Sequence, residues 1–239
     1  MLKPLMGDID LTFYQKHISG GSNEQILRDL FPSWTKEQCK EWADKKEAIF
    51  RERASSGGLD CVEGFRDFLS FISCEGKWTF KNEKGEEIPI IPVVVTNAPI
   101  ENSVFMLEAL KFHQVEHQAS SSEGQSPHRC FPPFKDVFIV DERGCRGKPY
   151  PDPYANAMKE NGLTPERCIA FEDSRSGVTA ASNAQVQTVI GIRTTHTDEQ
   201  LKEVGAKRTV KNWKEMMAYG SSVESLIKAL LSLEHEIKD

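Results

Sequence analysis

Three short runs in the chain place groups suited to phosphate chemistry just after apolar, β-branched stretches. Val93-Val94-Val95 leads into Thr96-Asn97, the stretch 136–140 is followed by Gly147-Lys148-Pro149, and Ile169-Ala170-Phe171 leads into Glu172-Asp173. A threonine hydroxyl, with the backbone N–H groups beyond it, can hold a phosphoryl oxygen. A lysine ammonium is a compact positive charge that stabilises a phosphoryl group in transfer. An adjacent Glu-Asp pair offers hard oxygen ligands, and Mg²⁺ is usually held by a few carboxylates with waters completing its shell. Each group alone has a plainer reading. Thr96-Asn97 is a common turn, Lys148 a surface lysine, and Glu172-Asp173 a cap for the helix starting near Ser174. Their recurrence in order at successive strand ends favours the chemical reading. Thr96, Asn97 and Lys148 are expected at a phosphate, and Glu172 and Asp173 at a metal.

Such groups converge only if the intervening elements bring the strand ends together. Apolar segments at 90–98, 136–140, 168–173 and 186–192 have the length and β-branched content of buried strands. Between them, 62–72, 101–112 and 152–161 carry helical spacing, and a last helix is expected over 223–237. In the third of these, Asp152 is expected at the N-cap, Pro153 at the first helical position and Gly162 past the end. Strands alternating with helices imply an α/β fold with a doubly wound parallel sheet, and the chemistry of such a sheet sits beyond the carboxyl ends of its strands.

Residues 1–56 differ, being polar and helical. Ser22 opens a helix ended by Pro32, and Thr35 with Gln38 forms a capping-box pattern at the head of a second. Gly57-Gly58 then breaks the chain. The expected division is a helical cap over 1–56 and an α/β core over 57–239. Two polar insertions interrupt the core, one near 74–89 with hairpin character and a Ser/Gly/Pro loop near 116–133 expected to be mobile.

The totals narrow the partners. The chain has 239 residues, a net charge of −6 and 28% charged residues, which argues against nucleic acid or an anionic membrane as partner. No apolar run approaches the roughly 18–20 residues of a membrane span. The first residues lack the apolar region of a secretory signal, so a cytoplasmic monomer acting on a small molecule is expected, with an upstream targeting peptide left open. The six cysteines form no CxxC pair and read as free thiols. His113 and His117 have a two-ligand zinc spacing with no third ligand evident, and read as surface histidines.

The runs VVVTNAP (93–99), GKPYPDPYANAM (147–158) and CIAFEDSRSGVTAASNA (168–184) resemble motifs two, three and four of the haloacid dehalogenase superfamily. The likeness is to its beta-phosphoglucomutase-like and sugar-phosphatase branch, and it covers about residues 10–73 and 90–195. That resemblance implies a Rossmann-like core with a helical cap, and Mg²⁺-dependent phosphoryl transfer through an aspartyl-phosphate. It implies Thr96 at the phosphoryl oxygens, Lys148 neutralising nucleophile and phosphate, and Asp173 and Glu172 holding Mg²⁺. The expected substrate is a small phosphorylated metabolite, a sugar phosphate. A phosphosugar mutase and an inactive binding protein are the alternatives.

The superfamily's nucleophile is the first Asp of an Asp-x-Asp-Gly-Thr loop, and Asp8-Ile9-Asp10-Leu11-Thr12 has that outline. Leu11 stands where the loop needs glycine, and Pro4 and Gly7 interrupt what should be its strand. The segment from Phe13 onward resembles cap sequence, so Asp8 and Asp10 are read as a look-alike inside the cap, and the nucleophile loop is expected upstream of Met1. Without that loop's strand, two neighbouring strands would be left with unpaired backbone groups. Where mutases of the family carry a cap arginine, this chain has Asn23, which favours hydrolysis. Arg28, one turn on, is a candidate substitute.

Overall fold

A computed structural model of the chain describes residues 8–73, 76–114 and 130–232. Its first helices begin at side chains that satisfy orphan N–H groups. Asp10 caps α1 (Leu11–His17), accepting from the Phe13 N–H at 2.7 Å. Ser22 caps α2 (Asn23–Leu30), and the expected Thr35–Gln38 box opens α3 (Lys36–Ser55). Leu27 and Cys39 are buried between these helices, and Phe31 stacks on Trp34 with ring centroids 4.2 Å apart. Gly57 and Gly58 follow at φ of +97° and +138°, with open space where a side chain would stand.

The remaining elements alternate. α4 (Phe65–Ile72) is followed by an antiparallel pair, β1 (Thr79–Lys81) and β2 (Glu87–Pro89), which is the hairpin expected of the first insertion. Then come β3 (Val93–Thr96), α5 (Ile100–Ala109), β4 (Asp136–Ile139) and α6 (Val140–Arg143). The chain continues through α7 (Asp152–Glu160), β5 (Ile169–Glu172), α8 (Arg175–Asn183), β6 (Thr188–Ile192) and α9 (Asp198–Lys202). It closes with β7 (Arg208–Val210), α10 (Trp213–Met217) and α11 (Val223–Leu231). The loop near 116–133 and His117 fall largely or wholly outside the described residues, as do Cys74 and the end of the last expected helix. His113 lies beyond the end of α5.

The α/β class holds, but the single sheet does not. β3 pairs in parallel with β4, with Thr96 opposite Ile139, while β5, β6 and β7 form a separate parallel sheet. Among the described residues no strand pairs with both β3 and β5. β4 is buried along its whole length, whereas β3, apolar enough for a central strand, is only half-buried. The side chain of Lys148 bridges the two sheets. Its Nζ donates to Val95 O on β3 at 2.9 Å and pairs with Glu172 at the end of β5.

Three apolar clusters hold the layers, one of them formed by Met158, Ala170, Val178, Val189 and Leu201, and the other two share α4. Phe68 of α4 packs with Ile190, Val210, Trp213, Met216 and Leu226, joining the three-stranded sheet to the C-terminal helices. Leu69, on the same helix, packs with Phe112, Phe131, Val137 and Ile139 beneath the two-stranded sheet. One amphipathic helix thus serves both sheets. β7 escaped the sequence reading because it is short and begins with a polar pair, Arg208-Thr209. The start of α7 also differs from expectation: Pro151 holds the N-cap position, and Asp152 makes a two-bond contact with Arg146 at 2.8 and 3.0 Å.

Candidate functional site

Although the strands lie in two sheets, their carboxyl ends reach one cavity of about 360 Å³. Thr96, Asn97, Lys148, Glu172 and Asp173 all line it, together with Ser174 and residues of the N-terminal helices. The five residues singled out from sequence are therefore brought together, each with a definite local cause.

Thr96 ends β3, and its hydroxyl oxygen accepts from the Ala98 N–H at 3.0 Å. That turn fixes the side chain and leaves the O–H proton available to donate. Asn97, expected at the phosphate, lines the cavity and also has structural partners. Its Oδ1 accepts from the Lys148 N–H (3.0 Å), and its Nδ2 donates to Lys148 O (3.2 Å) and Gly20 O (3.1 Å). With both ends of its amide engaged, Asn97 positions the lysine loop and ties it to the N-terminal helices. Lys148 is largely buried, at 9% side-chain exposure, and its ammonium is held by Val95 O and Glu172.

The acidic pair divides. Glu172 is buried and accepts from both Lys148 and the Tyr154 hydroxyl. Desolvation, followed by the charge of Glu172, holds the Tyr154 hydroxyl well above its ordinary pKa, so it remains a donor. Asp173 is exposed. Its Oδ2 accepts from the Thr194 hydroxyl at 3.0 Å, and its backbone carbonyl lies 3.1 Å from His196 Nδ1. Neither acid caps the following helix. Ser174 does, accepting from the Gly177 N–H at 3.1 Å. Two glycines are required by close approach. A Cβ on Gly177 would stand 2.0 Å from a Glu172 oxygen, and one on Gly20 would stand 2.1 Å from the Ser176 hydroxyl.

The donor set suits a hard divalent cation in part. Asp173 presents a carboxylate to solvent, and Glu172 keeps a second oxygen, Oε2, apart from the one that meets Lys148 and Tyr154. Among the described residues no group of three or more Cys, His, Asp or Glu forms a cage, and a cation that retains several waters is the kind such a pair can serve.

The helical wall contributes Tyr14, Ile18, Asn23, Lys46, Glu47 and Phe50. Asp8 and Asp10 are not in the lining, and Asp10 is engaged as the cap of α1. The carboxylates at the cavity among the described residues are Glu47, Glu172 and Asp173. Arg28, the candidate substitute for a cap arginine, pairs with Glu24 on the surface and does not line the cavity. Sequence reasoning missed Tyr154, Thr194, His196, Glu47 and Asn102. Of these only Tyr154 lay inside a recognised run. The others come from loops or helix faces whose placement is tertiary.

Comparisons with known proteins find similarity in sequence over part of the chain and in fold over most of it. Residues 97–191 match the sequence profile described as haloacid dehalogenase-like hydrolase. A phosphorylated carbohydrates phosphatase of Thermotoga maritima is 35% identical over 79 residues, 33% of this chain and 37% of that protein. Hexitol phosphatase A of Escherichia coli is 44% identical over 46 residues, 19% of this chain and 21% of that protein. The matched stretch thus spans only about a third of the length of such curated relatives. The fold extends further. A family hydrolase of Entamoeba histolytica superposes over 95% of this chain and 87% of its own with a TM-score of 0.66 at 21% identity. CbbY of Rhodobacter sphaeroides, solved with xylulose-(1,5)bisphosphate, superposes over 91% of this chain and 83% of its own with a TM-score of 0.67 at 18% identity. Residues 97–191 thus carry the haloacid dehalogenase-like hydrolase profile, and the chain as a whole shares the fold of these solved structures.

Proposed function

We propose that the protein is a phosphatase that releases phosphate from a small phosphorylated metabolite, a sugar phosphate, with Mg²⁺ as cofactor. The observation that carries this reading is the convergence of Thr96, Lys148, Glu172 and Asp173 on one cavity from two separate sheets. Thr96 donates to a phosphoryl oxygen and Lys148 supplies the positive charge. Asp173, with the second oxygen of Glu172, holds Mg²⁺, which when bound offsets charge on the phosphoryl group. Residues 1–56 act as a cap whose helices close the cavity and select the substrate. Several curated relatives are named as phosphatases of phosphorylated carbohydrates or polyols, which supports the substrate class. Asn23, in the place of a mutase arginine, donates to Glu47, so this wall offers an amide and a carboxylate there, favouring hydrolysis over mutase chemistry.

A second reading is favoured by one observation. Neither Asp8 nor Asp10 lines the cavity, so the described residues leave the nucleophilic carboxylate unassigned, and a protein that binds a phosphorylated ligand without turnover would have this same site. The two are separated by measuring phosphate release from a panel of sugar phosphates with Mg²⁺, beside calorimetric binding of the same compounds. Mg²⁺-dependent release that is lost in Asp173→Asn supports the phosphatase. Binding without release supports the second reading, and the absence of both overturns the site.

A further inference from the structure

Several ties cross from the N-terminal helices to the core. Away from this cavity, the Gln15 side chain donates to Thr195 O and accepts from Gln200 Nε2 at 3.3 Å. At the cavity, Gly20 O accepts from Asn97, and a second tie is made by buried side chains. Asn102, in the first turn of α5, is 4% exposed, and cap residues hold its amide at both ends. Arg51 donates to its Oδ1, and its Nδ2 donates to Glu47 Oε2. Glu47 and Arg51 are four apart on α3, so a single helix face presents an acceptor and a donor side by side. Glu47 is itself held in place. Asn23 Nδ2 donates to its Oε1 at 2.7 Å, and the Lys46 ammonium pairs with the same oxygen. A carboxamide carries a donor and an acceptor on one short planar head, whereas an apolar side chain or an ionised carboxylate could not make both bonds.

We propose that Asn102 is the catch of a latch that seats the cap on the core, with Glu47 and Arg51 as its two jaws, and that it is a positioning residue for the cavity. Asn23, Glu47 and Asn102 line the same space as Thr96 and Lys148, so closing the latch sets the helical wall against the strand ends. Asn102 lies on the helix that follows Thr96 directly, so the catch and the phosphate-binding turn move as one piece. Gly57 and Gly58, unhindered and in the left-handed region, give the connection its freedom. A hinge without side chains needs a tie elsewhere, and the buried Asn102–Glu47 bond supplies one that is costly to half-break. The inference rests on reading residues 1–56 as a cap and does not depend on turnover.

The test reverses the polarity of the bond. In Asn102→Asp, residue 102 still accepts from Arg51 but sets a second carboxylate against Glu47. Adding Glu47→Gln restores both bonds. The amide introduced at position 47 can donate to the carboxylate introduced at position 102, while its carbonyl oxygen still accepts from Asn23. Hydrogen exchange read by mass spectrometry on the whole chain should show the backbone amides of 18–23 and 98–103 exchanging about tenfold faster or more in Asn102→Asp, as expected for the loss of a charge-assisted bond. The double variant should return to the wild-type rate. Wild-type exchange in the single variant, or a double variant as fast as the single, would overturn the latch. Should Asn102→Asp fail to fold, the double variant decides: folding with wild-type exchange supports the proposal and failure to fold sinks it. A chain that releases no phosphate yet shows the rescue would remove the phosphatase reading and leave the latch standing.

Discussion

The two walls of the cavity are built from different chemistry. At the strand ends the groups are ionic and locked into one another: Lys148 and Tyr154 on Glu172, Thr194 on Asp173, Asn97 on the lysine loop. On the helical side a carboxylate, Glu47, sits among the amides of Asn23 and Asn102 with Lys46 beside it. The first wall suits a phosphoryl group, which is much the same on every ligand. The second offers directional donors and acceptors of the kind that hydroxyl groups recognise. On the proposed reading chemistry and selection are segregated, and the two walls should be coupled to stability in opposite ways. The ionic wall joins two sheets that, among the described residues, share no strand pairing, so injuring it should unfold the core. Injuring the helical wall should move the N-terminal helices and leave the sheets intact.

The largest effect is expected at Lys148. Lys148→Met removes the ammonium that reaches both Val95 O and Glu172 and leaves a buried carboxylate without its countercharge. Breaking a buried pair from one side costs about 3–5 kcal/mol, so urea unfolding should show a loss of that size along with loss of phosphate binding. A loss below about 1 kcal/mol would mean that the pair does not join the sheets, and the contrast between the walls would fail.

Gly177→Ala should be the next most damaging. Alanine in a helix is ordinarily better than glycine by about 0.5–1 kcal/mol, which predicts stabilisation. Here the added Cβ would stand 2.0 Å from a Glu172 oxygen, so the carboxylate must leave Lys148 or the helix must shift. Overpacking of this kind costs about 1–3 kcal/mol and reverses the sign. A stabilised Gly177→Ala protein would show that Glu172 can move freely, against the locked wall described above.

How far these walls could be read from the chain follows from the same physics. Strand-end chemistry is legible because a strand's carboxyl end is local: Val93-Val94-Val95 and Ile169-Ala170-Phe171 announce both the strand and the residues that must emerge from it. Helix starts are legible for the same reason, as Ser22 and Thr35 show. The division into two sheets was foreshadowed only as unpaired neighbours, because pairing is decided between distant segments. Gly20 and Lys148, the structural partners of Asn97, could not be read, because an amide after a strand serves a phosphate or a loop equally well until they are in place. The Glu47–Asn102 contact joins residues 55 apart in the chain, and nothing in the local pattern of either helix marks it. The helical wall is therefore the part that needed three dimensions.

Thr194→Val separates chemistry from stability within the ionic wall. It removes the hydroxyl that donates to Asp173 Oδ2 at the surface, so unfolding free energy should fall by no more than about 1 kcal/mol. Groups that orient a metal ligand nevertheless carry about 10–100-fold in metal affinity. Titration of Mg²⁺ by calorimetry should show weakening in that range with the unfolding curve almost superimposed on wild type. Unchanged Mg²⁺ affinity would detach Thr194 from the site.

The smallest effect lies just outside the wall, at the start of α7, and its dependence on pH identifies it. The Arg146 guanidinium, through its hydrogen bonds and then its charge, holds the Asp152 carboxyl below the usual aspartate range. A depressed carboxyl pKa means that the unfolded chain binds the proton more tightly than the folded one. The stabilisation is then fully present above the ordinary aspartate value of about 3.9 and is lost as pH falls through the lower folded value. Arg146 is largely solvent-exposed, so screening keeps the contribution small. Wild type should be slightly more stable than Arg146→Met near neutral pH, and the gap should close in acid. A gap that persists unchanged below the folded value would mean that Arg146 acts through its packing on Tyr150, whose ring centroid lies 4.4 Å from the guanidinium carbon, and not through the charge of Asp152.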